Sequence, residues 1–277
     1  MTNYLKNTIT IFTLATLLFS CSKDEDVVIQ NQLPVESQYR IKQIDFADAT
    51  KTFFEYNSQN QITKITTGTA IETNVYDANG FLTKTTKTGQ VSSELNCVAN
   101  FTNDATGLST EEIRTYDNGD KLKWNYTNLN AKHQSLRKYL WNVTVWQEFL
   151  NEAATYTYDS NGKLTETLAK LTKTINTYDS RGNLLIADNL FKYTLATQFI
   201  NLKKSTFEYD NIKPKNYKNS VLSKNNISKS TIVNYMENTP INTQTENFTY
   251  DYNTENYVVK TYKEGVLYST NVLEKIN

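Results

Sequence analysis

Along much of this chain apolar and polar residues alternate with a period of two, as in Phe54-Glu55-Tyr56, Tyr156-Thr157-Tyr158, Phe207-Glu208-Tyr209 and Phe248-Thr249-Tyr250-Asp251-Tyr252. Successive side chains of a strand point to opposite faces. The alternation therefore predicts antiparallel strands with one aromatic and aliphatic face and one face of Thr, Lys and Glu. Between these runs a seven-residue pattern recurs: YNSQNQI at 56–62, YDANGFL at 76–82, YDNGDKL at 116–122, YDSNGKL at 158–164 and YDSRGNL at 178–184, with weaker copies YMENTPI at 235–241 and YNTENYV at 252–258. Each places an aliphatic residue six positions after a tyrosine. FTNDATGL at 101–108 reads as a copy one residue longer, and YDNIKPKNY at 209–217 as one with a distorted loop.

That spacing selects a turn. A two-residue loop would set Asp159 opposite Leu164. A three-residue loop sets Tyr158 opposite Leu164 and Asp159 opposite Lys163, joining apolar with apolar and charge with charge. Asp77, Asp159 and Asp179 then cap type I turns, and Gly80, Gly162 and Gly182 take the left-handed position that forms the bulge. Asn60 and Asn256 hold that position in two further copies, asparagine being the next most tolerant residue there. Thr239 and the shifted Gly119 do not fit. Calcium held by clustered turn acids is an alternative use of the same residues, but no dense oxygen-ligand loop of the D-x-D-x-D-G kind occurs.

Many short strands with one dry face must curl, close or be covered. Residues 129–140 and 146–154 are the only helix candidates, so the expected fold is all-β: one large antiparallel meander of repeated hairpins curled into a barrel-like or half-barrel sheet. A β-propeller is the alternative. The strands look shorter than the roughly 9–11 residues of a membrane-spanning barrel.

Composition agrees, with Tyr 19, Phe 12, Trp 3 and only Gly 8 and Pro 3 in 277 residues. The N-terminus changes the picture more. One lysine, an apolar run and then LFSC at 18–21 read as a signal peptide too short to span a bilayer. Leu18 and Ser20 before Cys21 resemble the lipobox of bacterial lipoproteins, which implies cleavage before Cys21 and its acylation. SKDED at 22–26 resembles the surface-export signal of Bacteroidota-type lipoproteins; a plain solvated tether is the other reading. The expected organisation is a signal peptide at 1–20, a lipidated cysteine and polar tether at 21–38, and a single repeat-built β domain at 39–277. An ordinary signal peptide with an incidental cysteine would remove the anchor.

Charge is balanced, with Lys+Arg 29 against Asp+Glu 29, so no basic field would attract nucleic acid. Once Cys21 is lipidated, Cys97 is the remaining thiol, and burial is its default. His133 alone gives a catalytic triad or a histidine-based zinc site little to work with. Common phosphate, dinucleotide and metalloprotease motifs are missing, so neither metal nor cofactor is expected. Glu111 and Glu112 are adjacent and would point to opposite faces. Two other carboxylates could still form a glycosidase pair that sequence cannot locate.

In KYLWNVTVWQEF at 138–149 an uninterrupted strand would put Tyr139 and Trp141 on one face and Trp146 on the other, so at least one tryptophan leaves the core. Exposed tryptophan beside amide side chains suits stacking on a sugar ring, and Trp124, Tyr139, Trp141 and Trp146 are the candidate ligand-binding residues. Core or rim packing, and a protein-binding anchor, are the other readings.

Tyr76, Asp77, Gly80 and Leu82, with their counterparts from 158 and 178, match the core Y-D-x-x-G-x-L of the tyrosine-aspartate (YD or RHS) repeat. Only these three copies are good, and the chain is too short for the shell that large RHS proteins build. The chain more closely resembles short Bacteroidota surface lipoproteins with YD-like hairpins and a large porin-like curved sheet. That resemblance implies outer-membrane location and architecture, and no reaction. The expected function is a non-enzymatic, lipid-anchored surface protein that binds or scaffolds an extracellular polymer such as a glycan. Alternatives are a structural subunit of an outer-membrane complex and a carboxylate-based glycan hydrolase.

Overall fold

The computed structural model describes residues 39–90, 92, 95–129, 132–142, 144–149, 153–194, 196–210 and 226–276. The signal peptide, Cys21 and the tether lie outside the described residues. Nineteen strands form one sheet: β1 (Tyr39–Phe46), β2 (Lys51–Tyr56), β3 (Ile62–Thr67), β4 (Ala70–Tyr76), β5 (Leu82–Thr88), β6 (Cys97–Asn103), β7 (Ser109–Tyr116), β8 (Lys121–Leu129), β9 (Lys132–Asn142) and β10 (Val145–Glu148) come first. Then follow β11 (Ala154–Tyr158), β12 (Leu164–Ala169), β13 (Thr172–Tyr178), β14 (Leu184–Phe191), β15 (Ile200–Tyr209), β16 (Ile227–Met236), β17 (Thr239–Tyr252), β18 (Val258–Lys263) and β19 (Val266–Lys275). Where they are described, both helix candidates hold strands, β9 in the first and β10 in the second, because their Lys, Tyr and Trp residues alternate across a sheet.

Apart from β10 and β11, consecutive strands pair antiparallel, and β19 returns to pair with β1 from Tyr39↔Lys275 to Phe46↔Ser269. The meander therefore closes into a barrel, and the propeller alternative is excluded. One position is shared. The far edge of β9 pairs with β10 at Tyr139–Asn142 and with β11 at Ser135 and Leu136, so eighteen strands make the ring and β10 stands beside it.

Residues opposite one another in a ladder share a face, and following the pairs round the ring separates two faces. Every buried strand residue falls on one of them: Thr52, Ile65, Thr85, Cys97, Ala99, Glu112, Ala154, Ser205, Val258 and Ser269. Side chains converge on the concave face of a cylinder, so this tyrosine-bearing face is the inner one. Substantial strand contacts join ladder neighbours alone, leaving no second layer. An eighteen-strand ring is wide enough for an aqueous interior.

Both faces carry ion pairs in mid-strand. The outer face holds Lys64–Glu55 at 2.8 Å, Lys173–Glu166 at 2.6 Å, Lys204–Asp188 at 3.7 Å and Lys229–Glu208 at 2.9 Å. The inner face holds Lys87–Glu72 at 3.1 Å, Lys263–Glu246 at 2.7 Å and Arg114–Glu112. A lysine or arginine on a lipid-facing barrel surface costs about 2–4 kcal/mol at the bilayer midplane. Neither described face offers the apolar band that would avoid this cost.

Candidate functional site

Two features concentrate chemistry: a rim of repeated turns and an aromatic patch on β8–β10. At the rim, Asp159 N–H donates to Lys163 O at 2.9 Å and Gly162 N–H to Asp159 O at 3.0 Å, with Tyr158 opposite Leu164. Asp159 Oδ1 accepts the N–H groups of Asn161 and Lys163 at 2.9 and 2.8 Å. Asp179 repeats this with Arg181 and Asn183, and Asp77 with Asn79 and Phe81. Gly80, Gly162 and Gly182 have φ of 82°, 83° and 88°, and Asn60 and Asn256 have 62° and 65°. The three-residue turn is thus the observed one. With one carboxylate oxygen held by two amides in each turn, and no group of three His, Cys, Asp or Glu side chains meeting among the described residues, the turn acids do not assemble a calcium site.

Three copies need correction. The run at 101–108 is not longer: Asn103 stands opposite Ser109, with Asp104 and Gly107 as cap and bulge, so an asparagine takes the tyrosine position. At 116–122 the turn starts one residue earlier, Tyr116 N–H donating to Asp120 O and Gly119 N–H to Tyr116 O, which accounts for the shifted glycine. At 235–241 the tip is a two-residue turn, with Glu237 and Asn238 at φ 48° and 66°, because Met236 pairs with Thr239. The distorted copy keeps its base, Asp210 N–H donating to Asn226 O at 2.9 Å. Its loop, 211–225, lies outside the described residues.

Sequence reasoning assigned the tyrosine to apolar packing and missed its hydroxyl. The register shifts just beyond the aliphatic residue, and that residue's carbonyl is reached from the next hairpin. Tyr76 OH donates to Ile62 O at 2.8 Å, Tyr178 OH to Leu164 O at 2.9 Å and Tyr209 OH to Leu184 O at 2.7 Å, each linking one copy to the copy before it. Tyr56 and Tyr250 make the same bond to Ile41 O and Ile227 O. Burial pushes the Tyr56 phenol up to about 12, so it remains a donor across the physiological range. The signal was the choice of tyrosine over phenylalanine at a position that hydrophobicity alone would not distinguish.

In the patch, β9 and β10 pair as a hairpin, so Trp141 stands across from Trp146 on the same face rather than on the opposite one. Their rings meet edge to face at 5.2 Å. Lys123 Nζ lies 5.0 Å from the Tyr139 ring and 4.9 Å from the Trp146 ring, and Lys121 Nζ 5.8 Å from Trp141. Tyr139, Trp141 and Trp146 are therefore together on the outer face. Trp124 is not with them: it pairs with Lys138 and Glu112 on the inner face, under Arg114 at 4.8 Å. Glu111 and Glu112 divide between the faces as the alternation requires. Cys97 is buried on the inner face, and its burial raises the thiol pKa.

His133 sits at the turn rim. Its Nδ1 is 2.7 Å from Asn128 Oδ1, and Asn128 Nδ2 donates to Asp104 Oδ2 at 2.8 Å. The amide orientation makes Nδ1 the donor, and burial lowers the pKa of the ring against the pull of Asp104.

No family model and no curated protein matches the chain. Among solved structures it is similar to a porin-like protein from Bacteroides uniformis, at 11% identity and TM-score 0.42 over 84% of this chain and 98% of that one. It is also similar to a porin-like protein from Bacteroides vulgatus, at 10% and 0.44 over 84% and 97%. The TcdB2-TccC3-Cdc42 structure aligns at 17% and 0.36 over 79% of this chain, which spans only 10% of that one. Likeness at this level bears on no activity.

Proposed function

We propose that this chain is a lipid-anchored, non-enzymatic cell-envelope protein, tied to the outer membrane through Cys21, whose barrel stands on its tether and binds a glycan at the outer patch of Tyr139, Trp141 and Trp146. The observation that carries this reading is the gathering of three large rings and two ammonium groups on the solvent face of one hairpin, where alternation alone would have split them. Aromatic rings offer stacking faces to sugar C–H groups and lysines offer donors to their hydroxyls. The mid-strand ion pairs on the outer wall support a barrel outside the bilayer rather than within it.

The test is a glycan array probed with the full chain beside the Trp141→Ala and Trp146→Ala variants. Binding that both substitutions abolish, with folding retained, is the expected result. No binding by the parent chain, or binding indifferent to both changes, would overturn the site. Hydrolysis of a polysaccharide would put the carboxylate hydrolase in its place. Mass spectrometry of Cys21 from envelope fractions tests the anchor separately, and an unmodified thiol there would remove it.

A further inference from the structure

The two rims of the barrel differ in how strands end. At the rim opposite the tyrosine turns, two strands run on beyond their neighbours. The ladder between β17 and β18 begins at Phe248↔Lys263, while β17 itself begins at Thr239. Thr239–Glu246 pairs with β16 on one side and, among the described residues, with no strand on the other. This free edge is on the order of 25 Å long at the usual rise per strand residue. Glu264 bounds it, accepting the Asn247 N–H at 2.6 Å and donating its own N–H to Asn247 O at 2.9 Å, so the ladder stops there and the edge beyond stays open. The segment TPINTQTE has one charged residue; apart from Pro240 at its tip it carries none of the lysines or prolines that usually blunt an edge. The second free edge is β10, four residues that among the described residues pair with β9 alone, with Val145 59% exposed.

These edges share three properties. Both belong to strands that run away from this rim. Both face the same way round the ring, β10 away from β9 and β17 away from β16. They lie six strand positions apart in a ring of eighteen. A two-fold axis perpendicular to the barrel axis reverses both strand direction and sense of rotation. Applied rim to rim, it brings β10 of one copy antiparallel to β17 of the other, edge facing edge, and by symmetry does so twice. The geometry points to a second copy of this chain as the occupant of both edges: a closed dimer of barrels joined rim to rim by two β10–β17 ladders, each covering the whole of β10 and about half of the free edge of β17. Inner faces stay inner across such a joint, so Gln147 and Gln244, both exposed and both on that face, become cross-joint neighbours.

The test uses the full chain with Cys21→Ser, so that buried Cys97 is the sole native thiol, carrying Gln147→Cys and Gln244→Cys together or singly. Mild oxidation is expected to give the double variant a doubled mass on a non-reducing gel and to leave each single variant monomeric. Within one chain the two positions stand too far round the ring for a disulfide to form. A double variant that stays monomeric, while maleimide labels both introduced thiols and circular dichroism shows the parent fold, would overturn the proposal. A dimer formed as readily by Gln244→Cys alone would overturn it too, because it would place β17 against itself.

Discussion

The two rims join the same strands by different chemistry. At the tyrosine rim the six fully described connections are three-residue turns with an acid or amide cap, and each glycine there lies under a side chain from the preceding turn or strand. Gln61 Nε2 donates to Gly80 O at 2.7 Å, and Phe81 covers Gly107, Lys132 Gly162 and Lys163 Gly182. With the tyrosine hydroxyls these contacts tie successive hairpins together. At the opposite rim the connections vary, from the two-residue tip at Glu237–Asn238 to the three-residue turn at Tyr116–Asp120, and although Gly89 lies against Thr69, Gly68, Gly119 and Gly265 have nothing near the space a Cβ would occupy. One rim acts as a belt that holds the ring, and the other is free to carry projecting hairpins. In a single-layer wall, with no second sheet to pack on, closure must come from bonds along the ring, and they are concentrated at one end.

Glycine substitutions give the sharpest separation of the rims. Gly107→Ala would set a methyl group 2.5 Å from the Phe81 ring at φ 85°. The left-handed backbone and the overpacking together should cost about 3 kcal/mol. Gly119→Ala has φ 89° and open space, so the backbone penalty alone, about 1 kcal/mol, is expected. Urea midpoints would compare them; equal shifts would mean that the covering side chains contribute nothing and the belt is not a belt.

Tyr178→Phe is the next test. It keeps the ring and deletes one of the two side-chain bonds to Leu164 O, the other coming from Asn176 Nδ2 at 3.0 Å, for an expected loss of about 1 kcal/mol. Tyr262→Phe at the opposite rim removes an exposed bond to Asp251 Oδ2 and should cost less. A null result at Tyr178 with a measurable loss at Tyr262 would reverse the ranking of the two ends.

Much of the tyrosine rim was legible in the chain because its geometry is local. A spacing of six, an acid second and a glycine fifth determine the loop, its register and its bulge before any tertiary contact exists. The barrel followed from the alternation at Phe54–Tyr56 and Phe248–Tyr252, whose dry face has to be turned inward. What stayed hidden depends on partners distant in sequence. Nothing near Tyr178 announces that its hydroxyl reaches Leu164 O, and nothing in the run 138–149 marks the pairing that brings Trp146 beside Trp141. The one-residue slip at Tyr116 and the two-residue tip at Glu237–Asn238 escaped for a related reason. A tyrosine six residues before an aliphatic residue occurs by chance in a chain this rich in both, and only pairing tells the copies apart.

The smallest expected effect is on pH dependence, and it also separates the rims. His133 belongs to the tyrosine rim, where Asn128 links it to Asp104 and Tyr158 OH donates to its carbonyl at 3.0 Å. Burial lowers its pKa below the ordinary value of 6.5, so folding favours the neutral ring and the unfolded chain binds the proton more readily. This stabilisation is fully present above 6.5 and is lost as pH falls through the folded value. The opposite rim holds no histidine; its lowered groups there, Asp48 and Glu264, titrate with the carboxylates at lower pH, held down by backbone bonds to Thr50 and Asn247. Melting temperature should therefore begin to fall just below pH 6.5, well before the carboxylate region. His133→Gln should remove that first decline and leave the second unchanged. If both chains decline together from the same pH, the step belongs to other groups, and the Asp104–Asn128–His133 chain has no share in holding the belt.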